Sequence, residues 1–121
     1  MKKALIVDDA EANRILFGAI ISKLGVKVEY AVDGEDAVQK FAAFKPDIVF
    51  IDQIMPHKNG SDAIKQMKLI TLDFTAILMS ALTNEEDIKA IMESCNAEEF
   101  LPKPISFPDI TEVLKKYKVI S

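Results

Sequence analysis

The 121-residue chain has one cysteine, one histidine, one arginine and no tryptophan. A lone thiol, Cys95, cannot close an internal disulfide, so an apolar core must hold the fold, and a reducing, cytoplasmic setting is expected. The single arginine, Arg14, and a formal net charge of −4 leave no cationic cluster for a phosphate backbone. Direct nucleic-acid binding is therefore not expected. No apolar run approaches the roughly 18 residues of a membrane span. Met1 is followed by Lys2, Lys3 and a short apolar run ending before Asp8, which is not a signal sequence. Linkers, low-complexity tracts and internal repeats are also missing. What is present is 50% hydrophobic and 28% charged residues, the balance of one core, and a single domain over residues 1–121 is expected.

Short apolar runs alternate with helical periodicity. Ala4 to Val7, Ile48 to Ile51 and Ala76 to Met79 are continuous apolar runs, as in strands covered on both faces. Val26, Val28, Tyr30 and Val32 alternate with less apolar residues, and Phe100-Leu101 is a short remnant after Glu98 and Glu99, so both read as edge strands. Between them five helices are expected. The first runs from about Ala10 to Leu24, stops at Gly25 and carries Leu16, Phe17, Ile20 and Leu24 on one inward arc. Asp33 caps the second, which buries Ala37, Val38 and Phe41 and ends before Pro46; Gly60 and Ser61 open the third, with Ala63, Ile64 and Met67. Thr83 with Glu86, and Ser106 with Asp109, match the capping-box spacing for the fourth and fifth, and Ile105 with Ile110 the hydrophobic staple. Five strand–helix units in alternation predict an α/β doubly wound parallel sheet, a three-layer sandwich of the flavodoxin-like kind. Right-handed crossovers give the strand order 2-1-3-4-5.

In such a sheet chemistry gathers at the carboxyl ends of the strands. The residues there are Asp8 and Asp9 after strand one, Asp52 after strand three, Ser80 after strand four and Lys103 after strand five. Taken singly, each is an ordinary turn or surface residue; their joint placement at four strand ends argues for a site. Three carboxylates on one rim repel and would raise one another's pKa unless a cation neutralises them. Mg2+ meets that need, because it binds one or two carboxylates, retains waters and accepts a phosphoryl oxygen. Lys103 and Ser80 then supply a positive charge and a hydroxyl donor for the same group.

The segments Ile6-Val7-Asp8-Asp9, Asp52-Gln53-Ile54-Met55-Pro56 with Gly60 four residues on, Met79-Ser80-Ala81 and Phe100-Leu101-Pro102-Lys103-Pro104 together resemble a response-regulator receiver domain of two-component signalling, of the single-domain, chemotaxis-regulator-like type. The resemblance covers essentially the whole chain. It implies a phosphorylation-controlled switch whose only catalysis is gaining and losing its own phosphate. Asp52 would be the phosphoacceptor, taking the group from a histidine kinase or histidine phosphotransfer protein. Asp9 and Asp52 would bind Mg2+ directly, Asp8 through water, and the backbone carbonyl of Ile54 would complete the protein ligands. Lys103 would pair with the phosphoryl group, across a Lys103-Pro104 bond expected to be cis. Ser80 would turn toward the phosphate and Phe100 would move inward, changing the surface of helix four, strand five and helix five for a downstream target. Ser80 stands where threonine is frequent and keeps the hydroxyl. Phe100 stands where tyrosine is common and lacks the hydroxyl. Gln53 occupies a usually aliphatic position, and nothing in the sequence explains it.

Ile15 lies off the apolar arc of the first helix beside Ala12 and Ala19, so it is expected to be partly exposed. These three residues would form the margin that receives a helix of the phosphodonor protein, as the family's docking surface does. Ile54 and Leu82, two residues beyond the acceptor and the switch hydroxyl, sit where receivers edge the phosphoryl group. Branched aliphatic chains there cannot orient an attacking water, which implies a long-lived phosphorylated state. His57, the one histidine, reads as a loop residue, Cys95 as a buried small hydrophobe, Glu98 and Glu99 as solvated charge, and Lys115, Lys116 and Lys118 as a helix carboxyl end. Two other classes remain open on the same residues: a haloacid-dehalogenase-type phosphohydrolase and a flavodoxin. The first expects two aspartates one residue apart after strand one. The second expects a Ser/Thr/Gly phosphate loop there, where this chain is acidic. The chain stops a few residues past the last expected helix, so no output domain is expected within it.

Overall fold

The three apolar runs become the centre of one sheet because each must be covered on both faces. The computed structural model describes all 121 residues. It contains β1 (Lys3–Val7), α1 (Glu11–Lys23), β2 (Lys27–Ala31), α2 (Gly34–Phe44), β3 (Ile48–Asp52), α3 (Gly60–Ile70), β4 (Thr75–Ser80), α4 (Glu85–Cys95), β5 (Glu99–Pro102) and α5 (Phe107–Lys116). All strand pairs are parallel and the order is β2-β1-β3-β4-β5, as the alternation predicts. Every residue of β3 is buried, whereas the edge strands β2 and β5 are only partly covered.

Successive strand residues point to opposite faces, and the two apolar clusters follow that alternation. Leu5, Val7, Val49, Ile51, Ala76 and Leu78 pack with Ala37, Phe41, Ala63, Ile64, Met67 and Cys95 from α2, α3 and α4. Ala4, Ile6, Ile48, Phe50, Ile77, Met79 and Leu101 pack with Ile21 of α1 and Ile110, Val113 and Leu114 of α5. Aromatic pairs anchor both sides, Phe41 against Phe74 and Phe17 against Phe50. Cys95 is buried as expected, and burial pushes its thiol above the ordinary value.

Four of the five helices, α2 to α5, start after a short side chain that satisfies an otherwise unpaired amide. Asp33 accepts from the Asp36 N–H, and Ser106 and Asp109 form the reciprocal box expected for α5. Ile105 and Ile110 belong to the same apolar cluster. For α4 the cap is Asn84, which accepts from the Asp87 N–H, and the expected Thr83–Glu86 box is not the one used. Asparagine caps at least as well as threonine, and starting one residue later places Glu85, Glu86 and Asp87 in the first turn, beside the positive end of the dipole. The cap of α3 is Asn59, one residue before the expected opening. Gly25 follows α1 with φ +84°, a left-handed conformation that glycine adopts without strain.

The buried face of α1 is rotated from the expected arc. Ile21 is fully buried, Phe17, Ile20 and Leu24 are partly so, and Leu16 is 64% exposed. Leu16 instead borders an open pocket with Ala81, Pro104 and Ile105.

Glu98 and Glu99 are not free surface charge. Glu98 takes the Lys68 ammonium at 2.7 Å and the N–H of Ala76 at 2.8 Å, tying α3 and β4 to the chain entering β5. Glu99 accepts from Lys116 and from the Tyr117 hydroxyl. The Lys116 bond leads in holding the Glu99 carboxyl below its usual range. Both pairings are long-range, which is why local sequence reads these residues as solvent-facing. Ala76 is fully buried, so losing the Glu98 carboxylate leaves its N–H unpaired. Glu98→Ala should lower the unfolding free energy by about 1–3 kcal/mol in urea denaturation followed by circular dichroism. Glu98→Gln, which retains an acceptor, should lose less.

Candidate functional site

Asp52 ends β3 on the face that carries Ile48 and Phe50, and Asp8 follows Val7 on the matching face of β1. Parallel register therefore brings both carboxylates to one rim. Acidic oxygens of Asp8, Asp9 and Asp52 lie within 4.8 Å of one another. Asp8 and Asp52 are buried, at 3% and 7% exposure, while Asp9 is exposed. Lys103 reaches in from beyond β5, with Nζ at 2.7 Å from Asp52 Oδ2 and 3.5 Å from Asp8 Oδ2. Burial is the largest single influence on this ammonium and pulls its pKa down. The hydrogen bond from Lys103 to Asp52 and the charges of Asp52 and Asp8 together outweigh it, so the net value lies above that of an ordinary lysine.

The turn between β1 and α1 is built around Asp8. Its carboxylate accepts from the Ala10 N–H at 2.9 Å and from the Asn13 amide at 3.2 Å, and Arg14 donates to its backbone carbonyl at 2.7 Å. The single arginine thus serves as an internal brace. Asp52 Oδ2 is held by Lys103, whereas Oδ1 has only a long contact, 3.4 Å, from the Ile54 N–H. Oδ1 is the less engaged oxygen of the acceptor candidate. Ser80 is 1% exposed, and its hydroxyl accepts from the Leu82 N–H at 3.2 Å. Phe100 is half-buried against the α2–α4 cluster, and the Lys103-Pro104 bond is cis.

Three carboxylates face one ammonium, leaving a surplus of negative charge. The donors are all hard oxygens, and exposed Asp9 leaves the cluster open to solvent. That donor set fits a small divalent cation that keeps part of its water shell.

The family model of the response regulator receiver domain matches residues 4–115. The chain belongs to this family. Chemotaxis protein CheY of Thermotoga maritima is 37% identical over 116 residues, spanning 95% of this chain and 96% of the relative. Sporulation initiation phosphotransferase F of Bacillus subtilis is 31% identical and spans 96% and 93%. In shape, the crystallised chemotaxis protein CheY4 of Vibrio cholerae superposes with a TM-score of 0.89 over 97% of this chain and 98% of that one, at 24% identity. Membership of the receiver family removes the flavodoxin and dehalogenase readings.

The receiver fold brings Asp8, Asp9, Asp52 and Lys103 together as expected. Ser80 ends β4 beside β3 on the same rim. Ala12, Ile15 and Ala19 are exposed along α1, Ile15 at 61%, and Leu16 adds to that apolar margin. His57 is an exposed loop residue at φ 69°, about 4.0 Å from Asp33. The supporting roles of Asn13 and Arg14 were not read from the sequence, although both stand on the first two turns of a helix that begins just after Asp8.

Calorimetric Mg2+ titration tests the charge balance directly. Asp9→Ala should weaken binding about tenfold or more, since outer and inner groups of metal sites commonly contribute that much. Lys103→Met, which removes the competing ammonium, should strengthen it. Titrations indistinguishable from wild type would remove the metal assignment.

Proposed function

We propose that the protein is a phosphorylation-controlled switch of a two-component relay, with Asp52 as phosphoacceptor and residues 1–121 as one receiver domain acting in the cytoplasm. The observation that carries this reading is the Asp52 carboxylate, buried at the end of the central strand, gripped on one oxygen by Lys103 and nearly free on the other. A free Asp52 oxygen attacks the phosphorus of a phosphohistidine on a kinase or phosphotransfer protein. The new P–O bond forms as the P–N bond breaks, and the leaving imidazole takes up a proton. A Mg2+ held by Asp9, Asp52 and the Ile54 carbonyl, with Asp8 acting through water, would offset charge on the phosphoryl oxygens.

The remaining work falls to the chain's own side chains. Lys103, like any lysine, is protonated at neutral pH, and its carboxylate neighbours only reinforce this, so it can shift from Asp52 Oδ2 to a phosphoryl oxygen without changing charge. Ser80 exchanges its Leu82 N–H partner for the phosphoryl group by rotation about one bond, donating its hydroxyl proton. Phe100 then moves into the space vacated, and the face of α4, β5 and α5 changes for a downstream protein. Catalysis is confined to the protein's own acyl phosphate. The exposed Ala12, Ile15 and Ala19 receive a helix of the phosphodonor beside this rim.

Incubation with a small-molecule phosphodonor and Mg2+ should add one phosphoryl group to the wild type and none to Asp52→Ala, read by intact mass. Equal labelling of the variant would sink the assignment. With a protein donor, Ile15→Asp should slow transfer while labelling by the small donor is unchanged; transfer at the wild-type rate would exclude the docking margin. Ile54, 67% exposed, and half-buried Leu82 flank the path of an attacking water without any group to orient it. The doubly substituted Ile54→Asn, Leu82→Glu protein should lose its phosphate faster than wild type. A lifetime equal or longer would show that the aliphatic flanks do not control it.

A further inference from the structure

A glutamine next to the acceptor sits in a place built for an apolar side chain. Strand alternation that puts Asp52 with Ile48 and Phe50 puts Gln53 on the side of Val49 and Ile51, beneath α3, and Gln53 is 6% exposed. An unpaired amide there would be strongly unfavourable, and none of its atoms is unpaired. Its Oε1 accepts from the Ser61 N–H at 2.8 Å, and its Nε2 donates to Ser61 Oγ at 3.1 Å. Ser61 Oγ in turn donates to Asn59 Oδ1 at 3.0 Å, and that oxygen also accepts from the Asp62 N–H. The backbone joins in: the Gly60 N–H donates to the Gln53 carbonyl at 3.0 Å, and the Gln53 N–H to the Met79 carbonyl of β4 at 2.9 Å. A Cβ at position 60 would run into the Asp52 carbonyl, so only glycine lets α3 approach this closely.

The consequence is a clasp. The first turn of α3 is bonded to the residue after Asp52, and the loop from Ile54 to Lys58 is closed at both ends by it. That loop carries the Ile54 carbonyl, proposed above as a Mg2+ ligand, and the Ile54 N–H that contacts Asp52 Oδ1. An aliphatic residue at 53 could fill the same volume and keep the backbone bond from Gly60, but would leave the Ser61 N–H without its acceptor. We infer that Gln53 is a positioning residue: through Ser61 it sets the Ile54 carbonyl against the Asp52 carboxylate and so preorganises the metal site. This inference rests on the metal assignment made under the proposed function.

The test compares wild type, Gln53→Leu and the double variant Gln53→Leu, Ser61→Ala by Mg2+ calorimetry, urea denaturation and amide hydrogen exchange, with Asp9→Ala as control. Gln53→Leu should weaken Mg2+ binding about tenfold, the usual effect of losing a partner that orients a metal ligand, and should speed exchange at Gly60 and Ser61. In both variants the Ser61 N–H loses its acceptor, while in Gln53→Leu the Ser61 hydroxyl keeps Asn59 Oδ1, so stability should fall and Mg2+ affinity should be low in both. A merely structural clasp would lower stability in both variants and leave Mg2+ affinity at the wild-type value. Wild-type Mg2+ affinity in a folded Gln53→Leu would therefore overturn the inference. A wild type that binds no Mg2+ overturns the metal reading as well. Loss of binding in Asp9→Ala with none in Gln53→Leu overturns only the role of Gln53.

Discussion

The ion pair between Lys103 and Asp52 joins the two chemical halves of the molecule. Lys103 follows the edge strand β5 and Asp52 ends the central strand β3, with β4 between them. Holding a lysine over two buried carboxylates requires every intervening strand to be in register and the β5–α5 turn to aim back over the sheet. Replacing Lys103 by a neutral residue would leave the Asp8 and Asp52 carboxylates buried without their ammonium, which is far less favourable than the pair itself is favourable. The pair also leaves the rim with two carboxylates in excess of its one ammonium, since Asp8 and Asp9 stand beside Asp52. A site in that condition responds strongly to an incoming cation or to a group that draws Lys103 away.

Everything that positions this rim derives from two-fold alternation along parallel strands. The face that stacks Ile6, Phe50 and Met79 against α1 and α5 continues upward into Asp8 and Asp52. The opposite face continues into Gln53 and meets the first turn of α3. Packing below and polar contacts above are thus consecutive residues of the same strands, and a change of register would misplace both. Charged residues away from the rim have comparable structural duties: Glu98 bonds a buried amide of β4, and Glu99 ties β5 to Lys116 and Tyr117 at the end of α5. The α5 side of the proposed output face is thereby fastened to the edge strand beside Phe100.

The sequence by itself determined the architecture and the acidic cluster. Both depend on local pattern and topology: apolar runs identify buried strands, their alternation with helices dictates crossover handedness, and carboxyl-terminal strand ends then converge without any knowledge of packing. Capping positions were legible to within a residue, because Ser, Asp and Asn near a helix start compete on nearly equal terms, and Asn84 prevailed over Thr83. Tertiary structure alone decided which long polar side chains find partners. Lys68 lies 30 residues from Glu98, and Lys116 lies 17 from Glu99; no spacing rule links either pair. The same holds for the face of α1, where burial of Ile21 and exposure of Leu16 depend on how the helix rolls against β1 and β2. Gln53 is the clearest case. A buried amide beside Asp52 reads as an anomaly until α3 is in place, because the hydrogen bonds that satisfy it come from a helix whose position only the packed fold defines.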